Sequence, residues 1–279
     1  MTAARRSILI TGCSSGIGHH LAHALHERGW QVLATCRKEA DCARLRDEGL
    51  TSFRLDYEDQ ASIEAGFTQA LEHTGGRLDA LFNNGAYAMP GAAEDLPTDA
   101  LRQIFEANFF GWHSLTRLAI PVMRAQGHGR IVMNSSVLGF IALRFRAAYV
   151  STKHAVEGYS DTLRLELAGT GIHLILLEPG PIRTKIRENA RAHYERWIKP
   201  RDSAWADTYA NVVEKRLYDP DPPPDAFELS CEATSAKMIH ALEHSRPRAR
   251  YYVTTPTYMM GTLKRVLPTR WLDRLLIRG

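Results

Sequence analysis

Four polar residues in the middle of the chain have the types and spacing of an acid–base site. Tyr149 and Lys153 stand four positions apart in the helical pattern AAYVSTKHA, so their side chains share one helix face. Ser136 directly follows the β-rich run GRIVMNS, and Asn108 lies inside the long helical pattern before that run. A tyrosine hydroxyl can protonate an oxygen that gains negative charge, and a nearby ammonium lowers the phenol pKa by favouring the phenolate. Each residue alone has an ordinary surface or turn interpretation, but the set predicts proton transfer to an oxygen.

A glycine-rich loop near the start of the chain predicts a dinucleotide site. TGCSSGIG, Thr11–Gly18, follows a β-rich run and opens a helical pattern. Gly12, Gly16 and Gly18 permit a tight turn and a close backbone approach to a pyrophosphate, and the helix start supplies free N–H groups. The same letters contain G-x-S-x-G, which would place Ser14 as the nucleophile of an α/β-hydrolase. Only 11 residues precede Gly12, which leaves no room for the oxyanion loop of that fold.

Alternating patterns along the first 180 residues predict the architecture. Strand-like runs begin at Ser7, Trp30, Leu78, Gly129 and Ile172, and helical patterns cover 16–28, 39–48, 60–73, 98–126 and 147–169. This alternation predicts an α/β fold with a Rossmann-like doubly wound parallel sheet, whose ligands bind at the carboxyl ends of the strands.

The later part of the chain predicts an insertion and a C-terminal unit. Residues 185–225 are charged and partly helical and end in the proline-rich run Pro220 to Asp225, which cannot lie inside a helix or strand. We therefore expect one domain over 1–279, with a cofactor and catalytic core (7–184), a substrate lid (185–225) and a C-terminal helix–strand–helix unit (226–279).

Composition excludes several other classes of protein. The 279 residues are 44% hydrophobic and 24% charged, with a formal net charge of +4, so we expect no nucleic-acid partner. The four cysteines have no metal-ligand spacing and indicate free thiols in a reducing compartment. We find no signal-peptide pattern and no apolar run of ~18 residues, and therefore expect a cytoplasmic protein without a membrane span or a metal.

In this order, the motifs resemble those of the short-chain dehydrogenases/reductases. The matching segments are Thr11–Gly18, Asn83–Ala86, Asn108–Gly111, Ser136, Tyr149–Lys153 and Pro179–Thr184. Within that family, IVMNSSVLG, EPGPIRT and LKRVLP look like the bacterial YbbO-type aldehyde reductases. The usual NNAG of the family reads NNGA here, and this exchange of two small residues should preserve the close approach to the cofactor.

The resemblance implies roles for individual residues. Tyr149 is the proton donor, Lys153 also holds the nicotinamide ribose, Ser136 hydrogen-bonds the substrate oxygen, and Asn108 orders a water of the proton relay. The implied cofactor contacts are Gly12, Ser14, Ser15, Gly16, Ile17, Gly18, Asn83, Tyr149, Lys153, Ile182 and Thr184.

The end of the second strand indicates the cofactor. NAD-binding folds of this type carry an acidic residue there, whereas this chain has Cys36 followed by Arg37. A guanidinium can bind a 2′-phosphate in a bidentate fork, so we expect NADP(H). Asp56, after the third strand, resembles the family residue that contacts adenine. The expected reaction interconverts a small-molecule carbonyl compound and its alcohol; a hydrolase using Ser14 and a non-catalytic NADP(H) sensor remain alternatives.

The substrate side is predicted to be mainly apolar. Leu138 and Phe145 would line the pocket, beneath a lid whose apolar residues Ile186, Tyr194, Trp197 and Ile198 face the ligand while its charges face water. Arg144 and Arg146 oppose this interpretation, because a basic rim attracts a carboxylate or phosphate.

Two further patterns have a structural interpretation. His19, His23 and His26 share one helix face that we expect to point to solvent. The amphipathic stretch 257–277 can pack on the body of the protein or on a second subunit, or lie on a membrane surface.

Overall fold

Seven strands form a parallel sheet in the computed structural model, which describes residues 5–278. The strands are β1 (Ser7–Ile10), β2 (Gln31–Cys36), β3 (Thr51–Arg54), β4 (Ala80–Asn83), β5 (Gly129–Asn134), β6 (Ile172–Glu178) and β7 (Arg250–Tyr252). They pair in the order β3-β2-β1-β4-β5-β6-β7, and every pair is parallel. This confirms the predicted fold class.

Helices cover both faces of this sheet. They are α1 (Gly16–Glu27), α2 (Glu39–Asp47), α3 (Gln60–Thr74), α4 (Thr98–Phe105), α5 (Gly111–Gln126), α6 (Ala147–Glu166), α7 (Ile186–Trp197), α8 (Ala206–Thr208), α9 (Glu214–Tyr218), α10 (Cys231–Glu243), α11 (Thr255–Val266) and α12 (Thr269–Arg278). Among residues 5–278, none of the helices combines the length and apolarity that crossing a membrane requires.

The alternation of side chains along β1 shows how the two faces are filled. Ile8 and Ile10 pack in a core cluster with residues of α1 and α10, whereas Leu9 packs on the opposite face with residues of α3, α5 and α6. Because both faces of the sheet are buried, most strands have sequences that are almost continuously apolar, as is usual in parallel sheets.

The helix predicted over 98–126 is interrupted by a π-turn at Glu106–Phe110. The next residue, Gly111, approaches Tyr57 so closely that an added Cβ would lie 2.5 Å from the Tyr57 Cβ. The turn therefore falls where the helix comes into contact with the loop after β3. Such turns concentrate at functional sites, and Asn108 lies within this one.

The lid forms a small core of its own, made of α7, α8 and α9. Its buried residues are Ala190, Tyr194, Ile198, Tyr209, Val213 and Leu217, packed against Ala92. The expected orientation of the lid is wrong in part. Ile186 is 40% exposed, whereas Arg191 is partly buried and donates to the Leu217 carbonyl at the end of α9.

Candidate active site

The first two turns of α6 place Tyr149 and Lys153 beside the end of β5. Lys153 is 2% exposed, and its Nζ donates to the Asn134 carbonyl at 2.6 Å. The same ammonium lies 4.4 Å from the ring centre of Trp112 and 5.4 Å from that of Tyr149. Tyr149 and Lys153 therefore share one helix face, as their spacing predicts.

Burial shifts the pKa values of this pair in opposite directions. It lowers the pKa of Lys153 to about 7, with the Glu157 carboxylate acting against the shift. It raises the pKa of Tyr149 to about 12, although the Ser136 hydroxyl, a hydrogen-bond partner of the phenol, lowers it. We expected Lys153 to lower the tyrosine pKa, but the two causes of the shift are desolvation, which raises the pKa, and the hydrogen bond with Ser136, which lowers it. Tyr149 is accordingly protonated at neutral pH, as a proton donor must be.

Ser136 lies directly beyond β5 and begins a short 3₁₀ turn. Its Oγ accepts a hydrogen bond from the Leu138 backbone N–H at 3.1 Å, which fixes the side chain beside the phenol. The structure therefore brings Ser136, Leu138 and Tyr149 together, as the sequence predicts.

Asn108 is fully buried inside the π-turn. Its Oδ1 accepts from the Tyr87 backbone N–H at 3.0 Å, and its Nδ2 donates to the Tyr87 carbonyl at 2.9 Å. A weaker contact of 3.3 Å reaches the Thr152 hydroxyl. The side chain thus ties the loop after β4 to the α6 helix that carries Tyr149 and Lys153.

A partly buried charge network lies behind Lys153, and sequence reasoning missed it. Arg250 Nη1 donates to Glu157 Oε2 and to Glu178 Oε1, both at 2.5 Å, and Nη2 binds both oxygens of Asp161 at 2.8 Å. Glu178 is fully buried, and burial together with the Glu157 charge raises its pKa despite Arg250. Glu157 lies four residues after Lys153 on α6, and this spacing was the sequence feature that could have indicated a charge pair here.

The glycine loop packs tightly against the loop after β4. An added Cβ on Gly12, whose φ is +67°, would lie 2.5 Å from Gly85 Cα, and one on Gly18 would lie 2.6 Å from the Gly12 carbonyl. Asn84 Nδ2 ties the two loops together by donating to the Thr11 carbonyl at 2.8 Å. These approaches require glycine at positions 12 and 18, whereas an added Cβ on Gly85 would make only a tight contact, 3.3 Å from the Gly12 nitrogen.

The start of α1 fits a pyrophosphate. Ser15 is its N-cap residue, and no side chain caps the helix there, so the first N–H groups are free for an anion. Gly16 approaches Thr184 closely, since an added Cβ would lie 3.2 Å from Thr184 Cγ2. Ser14, Ile17 and Ile182 are partly buried around this loop. These residues fit the phosphates of a dinucleotide.

The residues expected on the adenosine side lie just beyond β2 and β3. Cys36 is buried at the end of β2, and Arg37 beyond it is exposed. The Arg37 charge contributes to the lowered pKa of His193 on α7, after burial, so this arginine lies near the lid. Asp56 accepts from the Glu58 backbone N–H at 3.1 Å and pairs with Arg54 at 3.4 Å.

The side chain of Asn83 does not face the cleft at the carboxyl ends of the strands, where a parallel sheet binds its ligands. It is fully buried, accepts from the Tyr57 hydroxyl at 2.6 Å and donates to the Thr116 hydroxyl on α5 at 3.0 Å. The alternation that turns Leu81 toward α5 also turns Asn83 there. The side chain of Asn83 is thus engaged within the core, and the cofactor contact implied for Asn83 stays a prediction.

Aromatic residues line the substrate side. Phe145 packs edge-on against Trp205 and Tyr209 of the lid, with ring centres 5.5 and 5.9 Å apart. Tyr87 stacks on His193 of α7 at 3.6 Å. Sequence reasoning missed this stack, because the two residues lie far apart in the chain. Phe145 and Tyr87 therefore contact residues of the 185–225 segment through aromatic packing.

The histidines of α1 bond to a carboxylate rather than to solvent alone. His19 Nε2 and His23 Nε2 lie 2.7 and 2.8 Å from Glu48 Oε2, and Arg44 binds the other oxygen at 2.6 Å. Burial opposes ionisation of Glu48, but these hydrogen bonds lower its pKa to about 2. Among the hydrogen bonds of residues 5–278, none joins these rings to the Ser14 hydroxyl, as a hydrolase would require.

Comparisons with known proteins agree with this geometry. The family model described as short chain dehydrogenase matches residues 6–195. The uncharacterized oxidoreductase YbbO of Escherichia coli is 38% identical over 98% of this chain and 94% of its own length. An NADPH-dependent 3-dehydrocapnine reductase of Ornithobacterium rhinotracheale is 28% identical over 98% of this chain and 96% of its own.

A solved structure shows the same fold. A short-chain dehydrogenase from Streptomyces avermitilis superposes with a TM-score of 0.78 at 27% identity, covering 95% of this chain and 94% of that one. The likeness extends over nearly the whole length of both chains. This chain belongs to the short-chain dehydrogenase/reductase family of oxidoreductases.

Proposed function

We propose that the protein is an NADP(H)-dependent oxidoreductase that interconverts a mainly apolar aldehyde or ketone and its alcohol, with Tyr149 as general acid and base. The observation that carries this proposal is the buried, protonated Tyr149 beside Ser136 and Lys153. It lies at the carboxyl end of β5, where parallel sheets bind their ligands.

The proposed steps in the reducing direction follow from the side chains. Ser136 and Tyr149 hydrogen-bond the carbonyl oxygen and polarise it. A nicotinamide whose ribose is held by Lys153 would supply the hydride that the carbonyl carbon receives. Tyr149 then gives its hydroxyl proton to the oxygen, and the Lys153 ammonium stabilises the phenolate that remains. In the oxidising direction the phenolate takes the alcohol proton.

After Tyr149 has given up its proton, another proton must reach the phenolate through neighbouring polar groups. Lys153 donates to the Asn134 carbonyl, and the Asn108 side chain is occupied by the Tyr87 backbone. We propose that a relay water is held near Asn108 through the backbone of the π-turn, where the usual helical pairing is interrupted.

The preference for NADP(H) rests on Cys36 and Arg37. No acidic side chain stands at the end of β2, and Arg37 is exposed and available for a 2′-phosphate. A relative over nearly the full chain is described as NADPH-dependent.

The apolar character of the substrate rests on the residues around the cleft. Leu138, Phe145, Trp197 and Tyr87 are partly or fully buried at its wall, and Trp197 packs in the cluster that contains Tyr149. Such a surface favours an alkyl or aromatic chain over a sugar.

The test is kcat/KM for a series of straight-chain aldehydes, followed by NADPH absorbance. Each buried CH₂ contributes up to ~0.8 kcal/mol, so kcat/KM should rise up to about fourfold per carbon until the pocket is full. A flat series, with short hydroxy-aldehydes preferred, would refute the apolar pocket alone. Binding of NADPH without turnover of any carbonyl compound would favour the sensor, and esterase activity without nucleotide would favour the hydrolase.

A further inference from the structure

Three arginines surround the base of the lid near the start of α6. Arg187 on α7 and Arg216 on α9 both bind one carboxylate, Asp225; the Arg187 Nη2 to Oδ2 distance is 3.3 Å, and Arg216 binds the other oxygen. Arg146, the N-cap residue of α6, is the third. Three positive charges and one negative charge therefore leave an excess of positive charge here.

Arg146 itself has no carboxylate partner among residues 5–278. Its guanidinium hydrogen-bonds the Phe145 carbonyl at 3.3 Å, which uses one of its five N–H donors. The side chain is partly buried, and desolvation, followed by the charges of Arg216 and Arg187, lowers its pKa to about 10. A partly buried cation without a carboxylate partner is unfavourable, because it gives up hydration without gaining an opposing charge.

The backbone beside Arg146 is also strained. Phe145 has φ +59°, the left-handed region that a bulky side chain rarely adopts. Its carbonyl accepts from Gly91 N–H at 3.0 Å, which holds the turn in place. No side chain caps α6, so the free N–H groups of its first turn add to the positive potential. Arg146 is therefore held beneath the lid, three residues before Tyr149.

We propose that Arg146, with Arg187 and Arg216, forms a binding subsite for an anionic group of the substrate. The inference rests on the proposed function and narrows its substrate class. The ligand is an amphiphile that carries a carbonyl or alcohol group, an apolar chain and an oxyanion, such as a carboxylate, sulfonate or phosphate. The aromatic rings of Phe145, Trp205 and Tyr209 contact the chain, and Arg146 binds the oxyanion in a bidentate fork.

The first experiment uses the wild-type protein. A series of oxo-carboxylic acids with three to nine methylene groups between aldehyde and carboxylate is compared with the methyl ester of each. Binding is measured at saturating NADP⁺, which cannot reduce an aldehyde, through quenching of tryptophan fluorescence in the lid. We expect at least one spacing at which the acid binds about ten- to a hundredfold more tightly than its ester.

The second experiment replaces the arginine. In Arg146→Met the preference for acid over ester should disappear, and Arg146→Lys should keep part of it. Arg201→Met, at an exposed arginine of the lid outside this cluster, is the control and should keep the preference. The dissociation constant for NADPH, measured directly, should stay unchanged in all three variants. An NADPH constant that weakens tenfold in Arg146→Met would show instead that the arginine binds a phosphate of the cofactor, and would overturn the proposal.

Two further outcomes distinguish failure of the subsite proposal from failure of the proposed reaction. Equal binding of acid and ester at every spacing in the wild-type protein overturns the subsite, even if Arg146→Met fails to fold. Turnover of both compounds would then leave the oxidoreductase proposal intact. Conversely, tighter binding of the acid with no turnover of any carbonyl compound would support the subsite and refute the proposed reaction.

Discussion

Lys153 donates to the carbonyl of Asn134, with 2.6 Å between Nζ and oxygen, at the last residue of β5. This bond fixes the ammonium between the sheet and the Tyr149 ring, while Trp112 covers it from α5. Lys153 is therefore a desolvated amine held next to a proton donor. This arrangement affects the stability of the fold and its dependence on pH.

Lys153→Met should make the cofactor-free protein more stable at neutral and acidic pH. The folded pKa of about 7 lies below the ordinary 10.5, so the unfolded chain binds the extra proton between these values. Wild-type stability therefore falls as pH drops from 10.5 to 7 and loses no more below 7 from this group. We expect an advantage for the variant on the order of 2 kcal/mol at pH 6, after the lost hydrogen bond is counted.

Denaturant unfolding at pH 6, 8 and 10 measures this effect. The advantage of Lys153→Met should shrink as pH rises from 7 toward 10.5. In this range the folded lysine is neutral, and protonation of the unfolded lysine favours unfolding less and less as pH rises. An advantage that is constant or grows with pH would contradict the lowered pKa.

Arg250→Met should destabilise the fold by about 3–5 kcal/mol at pH 8, since it leaves the buried Glu157 and Glu178 without their cation. Adding Glu178→Gln should restore part of the loss. The matched control is Arg164→Met, which breaks a more exposed pair with Asp161 and should cost under about 1 kcal/mol. Equal losses in Arg250→Met and Arg164→Met would show that the network contributes little.

Arg37→Ala should weaken NADPH binding by roughly ten- to a hundredfold, because it removes a charge-assisted contact worth ~1.5–3 kcal/mol. NADH has no 2′-phosphate and should bind almost as before. Lys38→Ala, a neighbouring exposed cation, is the control and should change neither constant much. An unchanged dissociation constant for NADPH in Arg37→Ala would assign the phosphate contact to another residue.

Local patterns were sufficient to predict the sheet and the pairing of Tyr149 with Lys153, which lie four residues apart on one helix face. The roles of Ser136 and Asn108 came instead from the resemblance to a family, because spacing does not place them beside Tyr149. Arg250 pairs with residues 72 to 93 positions away, and Tyr87 stacks on a lid residue more than 100 positions later. Such contacts depend on how helices and strands pack, which periodicity does not reveal. The inward turn of Asn83, by contrast, follows from strand alternation and was predictable.

The most direct test of the account is turnover by Tyr149→Phe with NADPH and a straight-chain aldehyde that the wild-type protein reduces. The phenyl ring should pack as the phenol does, so the NADPH dissociation constant should change little. Without the hydroxyl no proton reaches the developing alkoxide, and we expect kcat to fall by more than the ~10²-fold typical of a lost general acid. Retention of more than about one hundredth of wild-type turnover would contradict the role of Tyr149 as proton donor.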